Sequence, residues 1–99
     1  MSMHSETLRI DKLLWYLRLA KSRRSAQALI ASGHVRIDGR RIEKPHFAVR
    51  ANQVITLPLG NSVRVIRVAV IPHRRGPAPE AQSCYCDIGA GPLENTIAV

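Results

Sequence analysis

No stretch constrains the fold more than Leu8 to Arg41, LRIDKLLWYLRLAKSRRSAQALIASGHVRIDGRR. Ile10, Leu13, Leu14 and Leu17 recur at helical spacing and predict one buried stripe on a helix from about Leu8 to Ala20. Trp15 and Leu19 fall on its other side, so the second helix and the sheet are expected to cover one side each. The alternative use of Trp15 or Tyr16 is as a ring on which a base stacks. Lys21-Ser22-Arg23-Arg24-Ser25 is a basic junction in which Ser22 suits the N-cap, accepting from a free backbone N–H. A second helix is predicted from Arg23 to about Ser32, burying Ala26, Leu29 and Ile30, with Gly33 as its left-handed stop.

Beyond the helices the period changes. Val35 and Ile37 alternate with Arg36, and Asp38-Gly39 is a strong hairpin signal because Gly39 readily takes positive φ. Phe47 and Val49, then Val54–Leu57, then Ser62–Ile71 continue as strands, broken by Ala51-Asn52, Pro58 and Gly60-Asn61. Such short connections leave no room for crossover helices, so the sheet is antiparallel or mixed. The fold class is α+β: two short helices packed on one side of a small bent sheet. After Pro72 the composition becomes Gly/Pro-rich. A brief helix over Ala81–Ile88 could dock Tyr85, and the last ten residues read as disordered, in a mostly irregular C-terminal tail. Met1–Thr7 reads as a frayed terminus without the basic and apolar segments of a secretory leader. The apolar runs are too short to span a membrane. With only two cysteines, close in sequence, the chain suits a reducing cytoplasm.

Charge narrows the partner. The 99 residues hold fifteen Lys+Arg against seven Asp+Glu, a formal charge of +8. Eleven of those cations lie between Leu8 and Arg50, whereas Gly76–Val99 has none and three acids. A polyanion should therefore meet the front of the chain: nucleic acid before an anionic membrane surface. Cations in the first turn of a helix oppose its dipole, at roughly 0.3–1 kcal/mol each. Local rules broken in this way tend to mark function. The same positive helix end suits a phosphate, with bidentate forks from Arg23 and Arg24. Gln27, one turn on, could reach a sugar or base edge. The alternative is a solvated basic face that serves only solubility. Arg9, Lys12 and Arg18 on the first helix, Lys21 and Ser22 at the junction, and Arg36, Arg40, Arg41 and Lys44 around the hairpin complete the candidate set. A hairpin folded back beside the second helix would make these one surface, reading RNA by shape.

No catalytic constellation is visible: no phosphate loop, no paired carboxylates, no nucleophile with a base. Cys84-x-Cys86 with His73 lacks the ligand spacing and second pair of a structural zinc site, so neither metal nor cofactor is expected.

Arg9-Ile10-Asp11-Lys12, Leu14, Lys21-Ser22-Arg23, Ala26, Leu29-Ile30, Gly33-His34-Val35 and Ile37-Asp38-Gly39 resemble, in register over Leu8 to Leu57, the S4 RNA-binding domain. That domain is shared by a ribosomal protein, tyrosyl-tRNA synthetases and pseudouridine synthases; Asp38-Gly39 stands where Asn-Gly is frequent. Arg74-Arg75, Pro79-Glu80-Ala81 and Tyr85 resemble the segment that follows it in the bacterial heat-shock protein 15 family. The resemblance implies an S4-like (αL motif) domain, which the composition bounds at residues 8–75, ahead of a partly disordered acidic tail over 76–99. It implies a protein that binds ribosomal RNA on free large subunits, with tRNA nearby, and helps recycle stalled nascent-chain complexes; the expectation is a cytoplasmic, monomeric, non-catalytic protein. The tail departs from the family, whose members often end in a long basic extension. Rival readings are a DNA-binding module, with weak DNA binding as its trace, an RNA-delivery subunit of a modifying enzyme, and an anionic-membrane binder.

Overall fold

The computed structural model describes residues 6–92. In chain order these form β1 (Thr7–Arg9), α1 (Ile10–Tyr16), α2 (Arg23–Ala31), β2 (Val35–Ile37), β3 (Arg40–Ile42), β4 (Ala48–Arg50), β5 (Val54–Leu59), β6 (Ser62–Val68), α3 (Ala78–Gln82) and β7 (Tyr85–Pro92). All strand pairings among the described residues are antiparallel. One sheet has the order β3-β2-β5-β6-β7, and β1 pairs β4 in a second, two-stranded sheet. Ile10, Leu13, Leu14 and Leu17 of the first helical segment, Ala26 and Ile30 of α2, and Val35, Ile37, Ile55, Leu57, Ile66 and Val68 of the sheet share one buried core. The architecture is the expected α+β arrangement.

The first helix is shorter than its apolar stripe suggests. Leu8 is extended and pairs with Val49, so the helix starts at Ile10. The first turn of α1 has no side-chain cap, and the turn at 44–47 supplies acceptors instead: Ile10 N–H donates to the Phe47 carbonyl (2.8 Å) and Asp11 N–H to that of Pro45 (3.1 Å). At the other end Arg18 adopts φ +61°, Arg18 N–H donates to Trp15 O and Leu19 N–H to Leu14 O. These two bonds are the Schellman pattern, built here on an arginine rather than a glycine. Turning at Arg18 puts Leu19 into the same core as Leu14, where a continued helix would have carried it to the far side. Trp15 is left half-buried, with the Arg75 guanidinium 5.6 Å from its ring centroid.

The second helix and the turns follow their sequence signals. Ser22 Oγ accepts from Ser25 N–H at 3.0 Å, and Gly33 at φ +82° ends α2. Asp38 (φ +50°) and Gly39 (φ +85°) both take the left-handed conformation of a type I′ hairpin turn. β5 runs on through Pro58 to Leu59 rather than stopping at the proline. Pro58 lies beyond the residues that pair with β2, so its missing N–H costs no bond on that side.

The segment after Pro72 departs most from expectation. Instead of a helix over Ala81–Ile88, α3 ends at Gln82 and β7 adds an edge strand to β6. Tyr85 packs against the core, Ala81 is buried, and Arg64 forms a bidentate pair with Asp87 (2.5 and 2.7 Å). A bulge at Val65/Ile66 leaves Ile88 unpaired and exposed. Glycines and the bulge break the alternation of β7, so its partner strand, not its own pattern, defines it. Of the ten final residues expected to be disordered, 93–99 lie outside the described residues, and 90–92 belong to β7.

Candidate nucleic-acid interface

Asp11 is the hub of the helix side. Its side chain is fully buried, the one buried charged residue among those described. Arg9 reaches it with two N–H donors, Nε to Oδ1 at 2.7 Å and Nη2 to Oδ2 at 2.9 Å. Gln27 Nε2 donates to Oδ2 at 2.9 Å, and Lys12 N–H to Oδ1 at 2.7 Å. Arg23 Nη2 stands 3.6 Å from Oδ2. Burial alone would push the Asp11 carboxyl up. The hydrogen bonds from Arg9, Gln27 and the Lys12 N–H outweigh it and hold the group below the usual carboxylate range. The hydrogen bonds to Asp11 raise the Arg9 guanidinium above its usual value.

This hub sorts the expected cations. Arg9, Arg23 and Gln27 are gathered on one carboxylate, which orients them rather than consuming them: the Arg9 and Arg23 side chains keep 42% and 40% of their surface exposed. Arg23 and Gln27 are one turn apart on α2 and so point to the same side. The Arg23 Nε is buried without an acceptor, while its Nη2 leans toward Asp11 and the side chain stays partly exposed. Ser22 is occupied in capping, and its hydroxyl also donates to Ser25 Oγ at 3.0 Å. Lys21 and Arg24, at the start of α2, are exposed and unpaired among the described residues. Lys12 lies 5.5 Å from the Tyr16 ring centroid. The 44–47 turn packs on the start of α1, which brings Lys44 to the same end as Arg9 and Lys12.

The remaining candidates are placed elsewhere. Arg18 donates from Nε to the Gly76 carbonyl at 2.7 Å, and Arg75 from Nε to that of Trp15 at 3.1 Å. These arginines lock the segment after Pro72 onto the end of α1. A Cβ at Gly76 would press on the Glu80 carboxylate, the far end of a flexible side chain that can move aside. Arg36 and Arg41 lie opposite each other in the β2–β3 ladder, on the sheet face turned away from the core, while Arg40 pairs with inward-facing Ile37. The hairpin cations thus divide between two faces. His73 contacts Glu6 (2.5 Å), and Cys84 and Cys86 are free thiols, Cys84 buried and Cys86 exposed. In the sequence Asp11 reads only as a charge partner on a helix. The signal that could have singled it out is its isolation, one acid in a cationic stretch beside an apolar stripe.

Comparisons with known proteins bear on the domain and the fold. The S4 domain family matches residues 8–55. The chain is 40% identical to heat shock protein 15 of Escherichia coli K12 over 79% of its own length and 58% of that protein, so it spans little more than half of that relative. It is 43% identical over 49 residues to the small ribosomal subunit protein uS4 of Staphylococcus haemolyticus, half of this chain and 24% of that one. The trimeric structure of Vibrio cholerae heat shock protein 15 superposes with a TM-score of 0.79 at 36% identity, covering 85% of this chain and 84% of that one. By domain match, sequence and fold together, the chain belongs to the heat shock protein 15 family of S4-domain proteins.

Proposed function

We propose that this protein binds ribosomal RNA on free large ribosomal subunits through the start of α1 and the start of α2, without catalysis, and helps recycle stalled nascent-chain complexes. The observation that carries the RNA contact is the Asp11 hub with Lys21 and Arg24 beside it: one buried carboxylate orients Arg9, Arg23 and Gln27, and the neighbouring cations have no counter-ion among the described residues. Arg9, Lys12, Lys21, Arg23 and Arg24 contact phosphates, Ser22 and Gln27 lie close enough for sugar contacts, and Arg40 and Lys44 extend the surface. Residues 8–75 form the RNA-binding unit, and the acidic 76–99 segment stays off the RNA. A tRNA held on the same subunit is a second ligand within reach of this reading, and the setting is the cytoplasm. The names of the relatives, a heat shock protein and a ribosomal protein, support a ribosomal target.

Sedimentation with separated subunits and intact ribosomes at physiological salt tests this. Migration with free large subunits alone is the expected result. Binding to simple RNA hairpins but to no ribosomal particle would sink the ribosomal role while leaving RNA binding. All the cations invoked belong to one chain, so a monomer is the proposed binding unit. Light scattering, read against the trimeric Vibrio cholerae relative, tests that separately.

A further inference from the structure

We propose that the sheet face turned away from α1 and α2 is a second RNA-backbone surface, so that one chain holds two backbone segments at once. This rests on the RNA-binding reading above. Val35 and Ile37 point into the core, so Arg36 between them points the other way. The ladder then carries that face across the sheet: Arg41 opposite Arg36, Thr56 on its other side, Val65 opposite Thr56, and Arg67 two residues further along β6. Arg36, Arg41 and Arg67 are all exposed. Three strand spacings separate β3 from β6, roughly 14 Å.

These guanidinium groups are poorly neutralised. Arg67 has no ion pair or hydrogen bond among the described residues. Arg36 reaches only the Gly39 carbonyl of its own turn, at 3.3 Å. Arg41 approaches Glu43 at 3.9 Å, with both side chains more than 60% exposed. Arg64, on the opposite face of the same strand, has a bidentate carboxylate in Asp87. Like charges directly opposite in a ladder are destabilising, and a bound polyanion removes that repulsion. The chemistry selects phosphate rather than bases. The four Phe, Trp and Tyr residues lie elsewhere, Trp15 and Tyr16 on α1 and Phe47 and Tyr85 against the core, so none of them offers a stacking ring on this face. Lys21 and Arg24 stand on the helix side with the core between, so one straight backbone segment does not reach both sets.

Native mass spectrometry of the full chain with a short RNA hairpin, titrated to saturation, tests this. One chain carrying two hairpins is the expected complex. The R36Q/R41Q/R67Q chain, checked for an unchanged melting profile, should stop at one. Two hairpins on that variant, none on it, or only one on the wild type would overturn the second surface while leaving RNA binding intact. A wild-type chain that binds no hairpin would overturn the RNA reading itself, and this inference with it.

Discussion

Asp11 accepts donors from Arg9, Gln27 and the Lys12 backbone while remaining inaccessible to water. A buried carboxylate of this kind is favourable only when its lone pairs are filled. Asp11→Asn keeps the shape but turns two charge-assisted bonds into neutral or mismatched ones. It should lower unfolding free energy by about 2 kcal/mol, since hydrogen bonds to charged groups contribute roughly 1.5–3 kcal/mol and Arg9 is partly hydrated. Because the folded carboxyl lies below its unfolded value, that contribution is complete above the ordinary carboxylate range near pH 4 and fades as pH falls through the folded value. Urea melts of both proteins should therefore differ at neutral pH and converge in acid; an equal gap at all pH values would refute the linkage. Arg18 presents a different balance. Its left-handed backbone costs roughly 1–2 kcal/mol in a residue with a Cβ, and its bond to the Gly76 carbonyl offsets this. Arg18→Gly and Arg18→Ala both lose that bond, but only glycine relieves the strain. Thermal denaturation should rank Arg18→Gly above Arg18→Ala by about 1 kcal/mol.

The start of α2 concentrates function and instability in one turn. Ser22 caps it, and Ser22→Ala should cost about 1 kcal/mol. Arg23 and Arg24 look equivalent in sequence, yet Arg23 leans on Asp11 and Arg24 has no partner among the described residues. Arg24→Ala should leave stability level or raise it by about 0.3–1 kcal/mol through relief of the helix dipole. It should also weaken RNA binding and flatten its salt dependence, the slope falling by about 0.7–0.9 log units for each phosphate left without its cation. Arg23→Ala should lower both stability and affinity. Anisotropy titrations across salt, paired with melts, separate the two; identical behaviour would remove the distinction drawn from the Asp11 hub.

At the scale of the molecule, the segment after Pro72 belongs to the fold as well as to the tail. Arg18 and Arg75 tie it to α1, Arg74 holds Glu80 through two bonds (2.6 and 3.0 Å), and β7 covers the edge of β6. The Arg74 pair keeps the Glu80 carboxyl below its usual range, but both groups are exposed and contribute little. Truncation after Arg75 should therefore lower the melting temperature, as Ala81 and Tyr85 leave the core and β6 becomes an open edge. RNA affinity of the still-folded fraction should persist, because the helix-side cations all precede the cut. Loss of affinity in a truncation that remains folded would place the tail in the interface.

Local features were legible from the residues alone. The apolar stripes, Ser22 and Gly33 at the ends of α2, and the Asp38-Gly39 turn depend on neighbours a few positions away, and the sequence determined them together with the α+β class and the cationic front of the chain. Tertiary structure decided whatever depends on distant partners. The first helix gave up both ends, Leu8 to pairing with Val49 and Leu19 to the core through the turn at Arg18. β7 exists because β6 had an open edge, not because its own residues alternate. Cations equal in a one-dimensional reading became different kinds, among them those oriented on Asp11, those left unpaired beside it among the described residues, one locked to the Gly76 carbonyl and those set on the opposite sheet face. Charge is additive along a sequence, but direction is not. The packing of α1 against α2 and the pleat of β2 settled which way each cation points.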